Sequence, residues 1–186
     1  MVPLQTKDDE MLAEGGRGVT IRMDWKEASL LTENLAKKVH EYTPDYYNRV
    51  ERVGYILLGR GGLAVGGMLA RHLDMRYVFY LPMNRGDNFQ WFKAWFRSTW
   101  ADIIKGVAVD TLVVVDDICD TGETMTEMLK LLYSHASGKE ILLLTLLKRH
   151  SCKLVGVHYA KQLEVPDYVV FPWEIYDKQT KEGEPF

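Results

Sequence analysis

A change of residue pattern near the middle of the chain constrains the fold more than any other feature. Residues 111–115 form a continuous run of β-branched and aliphatic side chains, which is typical of a buried strand in a parallel sheet. Two carboxylates, Asp116 and Asp117, close this predicted strand, and Asp120 follows in a short loop. Beyond Gly122 the apolar residues recur at helical spacing. The pattern predicts a strand, an acidic loop and a helix.

This order of elements places hydrogen-bond donors beside carboxylates. The backbone N–H groups of residues 120–124 open the predicted helix, and a helix N-terminus binds anions. Gly122 lets a phosphate approach the backbone, and the hydroxyls of Thr121 and Thr124 can donate to its oxygens. The adjacent carboxylates would repel a phosphate, so they suit sugar hydroxyls or a divalent cation. Ribose 5-phosphate matches both groups, because its phosphate suits the N–H and hydroxyl donors and its sugar hydroxyls suit the carboxylates.

Three other interpretations of the loop fit less well. An ordinary core strand with a capped helix explains residues 113–115 but not the Asp-Asp-x-x-Asp-Thr-Gly sequence. A nucleoside-triphosphate loop requires Gly-x-x-x-x-Gly-Lys-Ser/Thr, which the sequence lacks. An aspartyl-phosphate enzyme requires a nucleophile two residues before its acid partner, whereas Asp117 and Asp120 are three apart.

The segment resembles the signature of type I phosphoribosyltransferases: a hydrophobic strand, two acids, two further residues and Asp-Thr-Gly-x-Thr. The resemblance implies transfer of ribose 5-phosphate from phosphoribosyl pyrophosphate (PRPP) to a nitrogenous base, with Mg²⁺ as cofactor and pyrophosphate as product. It implies that Asp116 and Asp117 contact the ribose hydroxyls and Mg²⁺, directly or through PRPP, and that Asp120 is the catalytic base near N7 of a purine. The implied PRPP contacts in this segment are Asp116, Asp117, Asp120, Thr121, Gly122, Glu123 and Thr124.

Residues 52–58 form another predicted strand. A glycine-rich turn at 59–67 follows this strand and precedes a predicted helix that carries Leu73. An anion can approach the backbone of the glycines closely and can pair with the guanidinium of Arg60. The carboxyl ends of parallel strands meet at one edge of the sheet, so this turn is expected near the acidic loop. The turn resembles the pyrophosphate loop of bacterial xanthine–guanine phosphoribosyltransferases, although Gly59 replaces the Ser or Lys that is usual there. The implied PRPP contacts are Gly59, Arg60 and Gly61.

Two segments near the end of the chain are predicted to contact the base. A buried strand at 140–147 ends at Lys148, which either extends to solvent or faces the crevice. The resemblance favours the crevice and implies a hydrogen bond from Lys148 to the 6-oxo oxygen of a purine. It also implies stacking by Tyr168, a backbone contact from Val169 and a contact of Glu174 with the 2-substituent or a metal-bound water. The alternative for Tyr168 is an edge strand with its ring in the core.

An aromatic segment lies between these regions. Its main stripe has helical spacing, which is more typical of a core or a subunit interface than of a ligand cage. Related enzymes have a mobile loop in this region, often with a Ser-Tyr pair, and this chain has no such pair. The role of the segment stays open. The stripe consists of Phe89, Phe92, Phe96, Trp100 and Ile103.

The alternation of strands and helices predicts an α/β fold. We expect a type I phosphoribosyltransferase-like, doubly wound parallel sheet of about five strands flanked by helices, with a small hood. The expected parts are a flexible arm at 1–20, the phosphoribosyltransferase domain at 21–176 and a polar tail at 177–186. The hood is expected mainly from 160–175 and the N-terminal region.

The expected function is Mg²⁺-dependent transfer of ribose 5-phosphate from PRPP to guanine, xanthine or hypoxanthine, in purine salvage. The alternatives are a PRPP-binding regulatory protein of the same fold and a phosphoribosyltransferase for another base.

The net charge of −3 gives no general reason to expect nucleic-acid binding. Without a signal core or a membrane-spanning run, and with Cys119 in the site loop, we expect a cytoplasmic protein. The resemblance implies a homodimer or homotetramer.

Overall fold

The computed structural model describes residues 20–43, 45–83, 89–164 and 168–174. The predicted tail at 177–186 and nearly all of the predicted arm at 1–20 lie outside the described residues. None of the described helices is both long enough and apolar enough to cross a membrane.

The described chain alternates between strands and helices, as its residue patterns predict. The strands are β1 (Thr20–Arg22), β2 (Val53–Leu58), β3 (Tyr77–Leu81), β4 (Thr111–Cys119), β5 (Glu140–Arg149), β6 (Val157–Leu163) and β7 (Tyr168–Val170). The α-helices are α1 (Trp25–Tyr42), α2 (Tyr46–Arg49), α3 (Gly59–Leu69), α4 (Phe89–Thr99), α5 (Ala101–Gly106) and α6 (Glu123–His135).

Five strands form one parallel sheet in the order β3-β2-β4-β5-β6. The prediction of an α/β fold with about five parallel strands is therefore confirmed. The central strand β4 contains the acid pair near its carboxyl end, in register with the end of β5: Cys119 lies opposite Lys148. Because all five strands run the same way, the segments after β2, β4 and β5 meet at one edge of the sheet.

The side chains of β4 alternate between two cores, one on each face of the sheet. Val113 and Val115 pack with α1 and α3, whereas Leu112 and Val114 pack with α4, α5 and α6. This alternation is the two-residue period of a strand that is buried on both faces. The helices therefore cover both sides, which is the doubly wound arrangement that the sequence predicts.

The aromatic segment forms much of the second core. Phe92 and Phe96 are fully buried there, while Trp91 is 59% exposed. Ile103, the last member of the stripe, is 48% exposed, because the helix is interrupted between α4 and α5 and Ile104 takes the buried position. For Phe92 and Phe96 the core interpretation is confirmed.

A small parallel sheet of β1 and β7 stands apart from the main sheet. Ile21 lies opposite Val169 in this pair, and the N–H of Met23 donates to the carbonyl of Val170 at 3.0 Å. Residues 160–163 belong to β6 of the main sheet, which leaves them outside this small unit. The full extent of the hood stays a prediction.

The start of α1 has a side-chain cap that can be tested. The Asp24 carboxylate accepts a hydrogen bond from the N–H of Glu27 at 2.7 Å. Asp24→Ala is expected to lower the free energy of unfolding by about 0.5–2 kcal/mol, because one helix N–H loses its partner. Urea denaturation measures this loss. Asp24→Asn keeps an acceptor oxygen and serves as the control, so an equal loss in both variants would contradict the capping role.

Candidate active site

A cavity of about 460 Å³ opens at the carboxyl edge of the main sheet. Its volume falls in the range of small-molecule sites. Apart from Glu174, the sequence analysis assigns thirteen residues to PRPP or the base, and twelve of them line this cavity. These twelve are Gly59, Arg60, Gly61, Asp116, Asp117, Asp120, Thr121, Gly122, Glu123, Thr124, Tyr168 and Val169.

The N-terminus of α6 forms one side of the cavity. Gly122 precedes this helix with φ of 85°, a left-handed conformation that glycine adopts without steric cost. The N–H of Glu123 donates to the Thr121 hydroxyl at 3.3 Å. Because a hydroxyl accepts and donates at once, Thr121 keeps its own proton for a ligand. The structure thus has a helix N-terminus where the sequence predicts one.

A second helix N-terminus faces the same cavity. α3 begins at Gly59, directly after β2, and Gly59 has φ of 56°. The glycine-rich turn is therefore the first turn of the helix rather than a separate loop, and the helix ends before Leu73. Two helix N-termini, one of which carries the exposed Arg60, give a site suited to two phosphate groups.

Asp117 lies at the junction of three segments. A Cβ atom added to Gly61 would stand 2.0 Å from Oδ2 of Asp117, so the carboxylate occupies the space that the missing side chain leaves. On the other side the indole Nε1 of Trp173 donates to the same oxygen at 3.2 Å. The Trp173 ring stacks on Phe171 with centroids 4.7 Å apart. The sequence analysis assigned no role to Trp173, although this residue lies directly before Glu174, which was predicted to contact the base.

The two adjacent carboxyls have raised pKa values. Burial is the main cause of the raised pKa of Asp116, and the neighbouring Asp117 charge adds to it. Burial also raises the pKa of Asp117, while the hydrogen bond from Trp173 opposes the rise. The N–H of Asp117 donates to Oδ1 of Asp116 at 2.9 Å. Two negative charges are therefore disfavoured at this pair, and a bound cation or hydroxyl donors would relieve this cost.

The raised pKa values predict how stability depends on pH in the absence of ligand. Between the unfolded carboxyl pKa of about 4 and the raised folded pKa, the native state binds more protons than the unfolded state. Its free energy of unfolding therefore falls as pH rises, by up to about 1.4 kcal/mol per pH unit for each carboxyl. Asp116→Asn removes one such contribution and is expected to gain stability relative to the wild type as pH increases.

Urea denaturation at several pH values measures the difference between Asp116→Asn and the wild type. The comparison with the wild type is needed because ion pairs lower the pKa values of Asp110 and Glu127, which gives slopes of the opposite sign. Parallel pH profiles for the two proteins would contradict the prediction.

Asp120 forms an ion pair that the sequence analysis did not predict. The guanidinium Nε of Arg149 lies 2.6 Å from Oδ1 of Asp120, and both residues line the cavity.

Lys148, the thirteenth predicted residue, does not line the cavity: its ammonium lies 5.6 Å from the ring centroid of Tyr159 on β6. Glu174 also lines the cavity, and its carboxylate accepts from the N–H of Phe171 at 3.0 Å.

Two buried thiols lie behind the loop that joins β4 to α6. The Sγ atoms of Cys119 and Cys152 are 3.2 Å apart, and both cysteines are free. Burial raises the pKa of the Cys119 thiol. A Cβ atom added to Gly122 would stand 3.1 Å from Sγ of Cys152 and 2.9 Å from Leu154. The turn after β5 thus packs directly against the loop that precedes α6.

The donor set at the cavity fits a magnesium ion that is shared with a ligand. No group of three or more His, Cys, Asp or Glu side chains suited to a metal occurs within the part of the chain that the structure describes. Mg²⁺ is commonly bound by one or two carboxylates together with substrate phosphates, so the pair of Asp116 and Asp117 meets its requirement.

The chain has an α/β fold, and two helix N-termini line the cavity at the carboxyl edge of its sheet. The family model for the phosphoribosyl transferase domain matches residues 25–180. The chain therefore belongs to the phosphoribosyl transferase family, and it is an enzyme of the glycosyltransferase type. The family predicted from the sequence is confirmed.

Solved structures share the fold at low sequence identity. Xanthine-guanine-hypoxanthine phosphoribosyltransferase of Helicobacter pylori has a TM-score of 0.61 and 19% identity, over 90% of this chain and 100% of that one. A purine phosphoribosyltransferase of Pyrococcus horikoshii has a TM-score of 0.57 and 20% identity, over 83% and 94%. A hypothetical protein of Neisseria gonorrhoeae with bound ppGpp has a TM-score of 0.63 and 16% identity, over 90% and 96%.

Proposed function

We propose that this enzyme transfers the phosphoribosyl group of PRPP to a 6-oxopurine base, namely guanine, xanthine or hypoxanthine, and releases pyrophosphate. The observation that carries the proposal is the shared cavity, in which two helix N-termini, an acid pair and the β7 segment meet. A ligand with two phosphorylated ends and a ribose between them matches this distribution of donors and acceptors.

PRPP binds across the cavity in this proposal. Its 5-phosphate contacts residues 120–124 at the start of α6, and its pyrophosphate contacts Arg60 and the backbone of Gly59 and Gly61. Asp116 and Asp117 accept hydrogen bonds from the ribose hydroxyls. The same two carboxylates would hold Mg²⁺, which supplies positive charge beside the departing pyrophosphate when it is bound.

The proposed reaction is a substitution at C1 of the ribose. The bond from C1 to the pyrophosphate oxygen breaks and its electron pair leaves with pyrophosphate, while N9 of the base forms the new bond to C1. The base must lose one proton, and Asp120 is proposed to accept it near N7. Exclusion of water from C1 matters because water would compete with the base.

The β7 side of the cavity is proposed to hold the base. Tyr168 is 49% exposed and lines the cavity, which supports a stacking contact between its ring and a planar ligand. Stacking on an aromatic ring contributes about 1–3 kcal/mol for nucleic-acid bases. Val169 is proposed to contact the base edge through its backbone, with Glu174 near the 2-substituent. Lys148 is proposed to donate to the 6-oxo oxygen, which requires its ammonium to turn away from Tyr159.

The names of similar structures support a purine substrate. Two of them are called purine or xanthine-guanine-hypoxanthine phosphoribosyltransferases, and a third contains ppGpp, which is a guanosine nucleotide. A phosphoribosyltransferase for another base remains the second candidate, because the phosphate side of the cavity would be the same for every base.

The proposal is tested by the release of pyrophosphate from PRPP in the presence of Mg²⁺. Hypoxanthine, guanine, xanthine, adenine, uracil and orotate are offered separately. Turnover with 6-oxopurines alone is the expected result. Lys148→Ala is expected to weaken the discrimination between 6-oxopurines and adenine. Omission of Mg²⁺ serves as the control for cofactor dependence.

Other outcomes of this assay identify the alternatives. Turnover with uracil or orotate would retain the reaction and overturn the assignment of the base side. Binding of PRPP without turnover for any base would overturn the proposed reaction and favour a regulatory protein of the same fold. In that case titration with DNA and RNA tests for nucleic-acid binding.

A further inference from the structure

We propose that Arg149 is a positioning residue, which orients the Asp120 carboxylate toward the base during transfer. The inference rests on the proposed function, because it concerns the group that contacts the base. Neither the family signature nor the predicted base contacts include Arg149.

The ion pair is close and shielded from solvent. Nε of Arg149 lies 2.6 Å from Oδ1 of Asp120, and the side chains are only 14% and 25% exposed. An exposed pair of long side chains has little effect on structure, whereas a shielded pair with a short contact restrains both partners. Both residues line the cavity, so the restrained carboxylate borders the space where a base would bind.

Other contacts already join the two strands that bear this pair. β4 and β5 are paired from Thr111 opposite Glu140 to Cys119 opposite Lys148. Asp120 and Arg149 follow immediately after these last partners, where the ladder ends. The backbone of Arg149 is fixed as well, because its carbonyl accepts from the N–H of Cys152 at 3.0 Å. The arginine therefore approaches Asp120 from a rigid support and adds orientation beyond the sheet pairing.

The chemistry of the pair explains why orientation matters. A carboxylate has two oxygens with several acceptor positions, and Arg149 occupies one of them at Oδ1. The guanidinium thereby fixes the plane of the carboxylate and determines how its remaining acceptor positions face the cavity. An N–H group of the base requires an acceptor within about 3 Å and in line with its proton. Loss of Arg149 would remove this restraint on the Asp120 carboxylate, which is then expected to meet this geometry less often.

The test is a double-mutant cycle on the full chain, with Arg149→Met and Asp120→Asn made separately and together. Arg149→Met is expected to lower kcat by about tenfold to a hundredfold, the size of effect that a small displacement of a reacting group produces. The dissociation constant of PRPP alone is expected to stay unchanged. In the Asp120→Asn background, Arg149→Met is expected to have no further effect.

Two additional variants separate positioning from folding. Arg149→Lys keeps the charge and a donor, so it is expected to recover part of kcat, and it provides the test if Arg149→Met fails to fold. Arg52→Met is the matched control. It removes an arginine that lies 2.7 Å from Asp110 at the opposite edge of the sheet, and it is expected to leave kcat unchanged.

The outcomes distinguish this inference from the proposed function. If the wild type transfers phosphoribose but Arg149→Met has an unchanged kcat, or loses the same factor with and without Asp120, only the positioning role is overturned. If the wild type transfers to no base, the proposed function is overturned. The cycle is then measured by calorimetric binding of guanosine monophosphate: coupling between Arg149 and Asp120 would uphold the positioning role, and absence of coupling or of binding would overturn it.

Discussion

Asp120→Asn is expected to lower kcat by about 10²–10⁴-fold, the usual contribution of a positioned general base. Asparagine has nearly the same shape as aspartate, and its side-chain oxygen can still accept a hydrogen bond from Arg149. It cannot take up the proton that the base must lose. The loss should therefore appear in kcat with a much smaller change in the affinity for PRPP. Single-turnover measurements with PRPP and guanine separate the chemical step from product release.

The matched control for this prediction is Asp102→Asn, which alters an exposed carboxylate on α5, remote from the lining of the cavity. It is expected to leave kcat unchanged. A loss of PRPP affinity as large as the loss of kcat in Asp120→Asn would show that Asp120 acts mainly in binding the first substrate. The proposed role near N7 of the base would then be wrong.

Gly61→Ala is expected to impair use of PRPP by about 10²-fold, because it displaces a carboxylate that contacts the ribose in our proposal. The added Cβ would stand 2.0 Å from Oδ2 and 2.1 Å from Cγ of Asp117, so the carboxylate must move and its hydrogen bond with Trp173 is lost. The overpacking is expected to cost about 1–3 kcal/mol of stability as well. Steady-state kinetics at varied PRPP and urea denaturation measure the two effects.

Gly67→Ala is the control on the same helix. Nothing lies within 4 Å of a Cβ atom at Gly67, so this change is expected to raise helix stability by about 0.5–1 kcal/mol without affecting kinetics. If Gly61→Ala retained full activity with PRPP, then Asp117 would reach its ligands from more than one position. The close fit between Gly61 and Asp117 would then be a packing feature without a role in binding.

The elements of the fold could be predicted because their signals are local. The aliphatic run before Asp116 indicates a buried strand, and the spacing after Gly122 indicates a helix. The spacing did not reveal that Ile104 rather than Ile103 is buried, because a break between two short helices shifts the helical register without a proline or glycine to mark it. The first turn of α3 was also missed, since its glycines are typical of a loop.

The contacts within the candidate site could be predicted only in part. The two phosphate-side segments carry their own motifs, and parallel strands bring such motifs to one edge. The bonds of Trp173 to Asp117 and of Arg149 to Asp120 join residues that are far apart in the chain, and no local pattern encodes them. The side-chain direction of Lys148 depends on Tyr159 of the neighbouring strand, which the sequence alone does not reveal.

The pairing of β1 with β7 has a consequence for the order in which the site forms during synthesis. The phosphate side of the cavity is built from β2 to α6, and all of its residues have been translated once residue 135 is added. Tyr168 and Val169 lie on β7, whose partner β1 was translated near the beginning. Contacts between such distant segments form late because a long loop must close first. A nascent chain should therefore acquire its phosphate-binding half before its base-binding half, and a chain that stalls between them would present an open cavity.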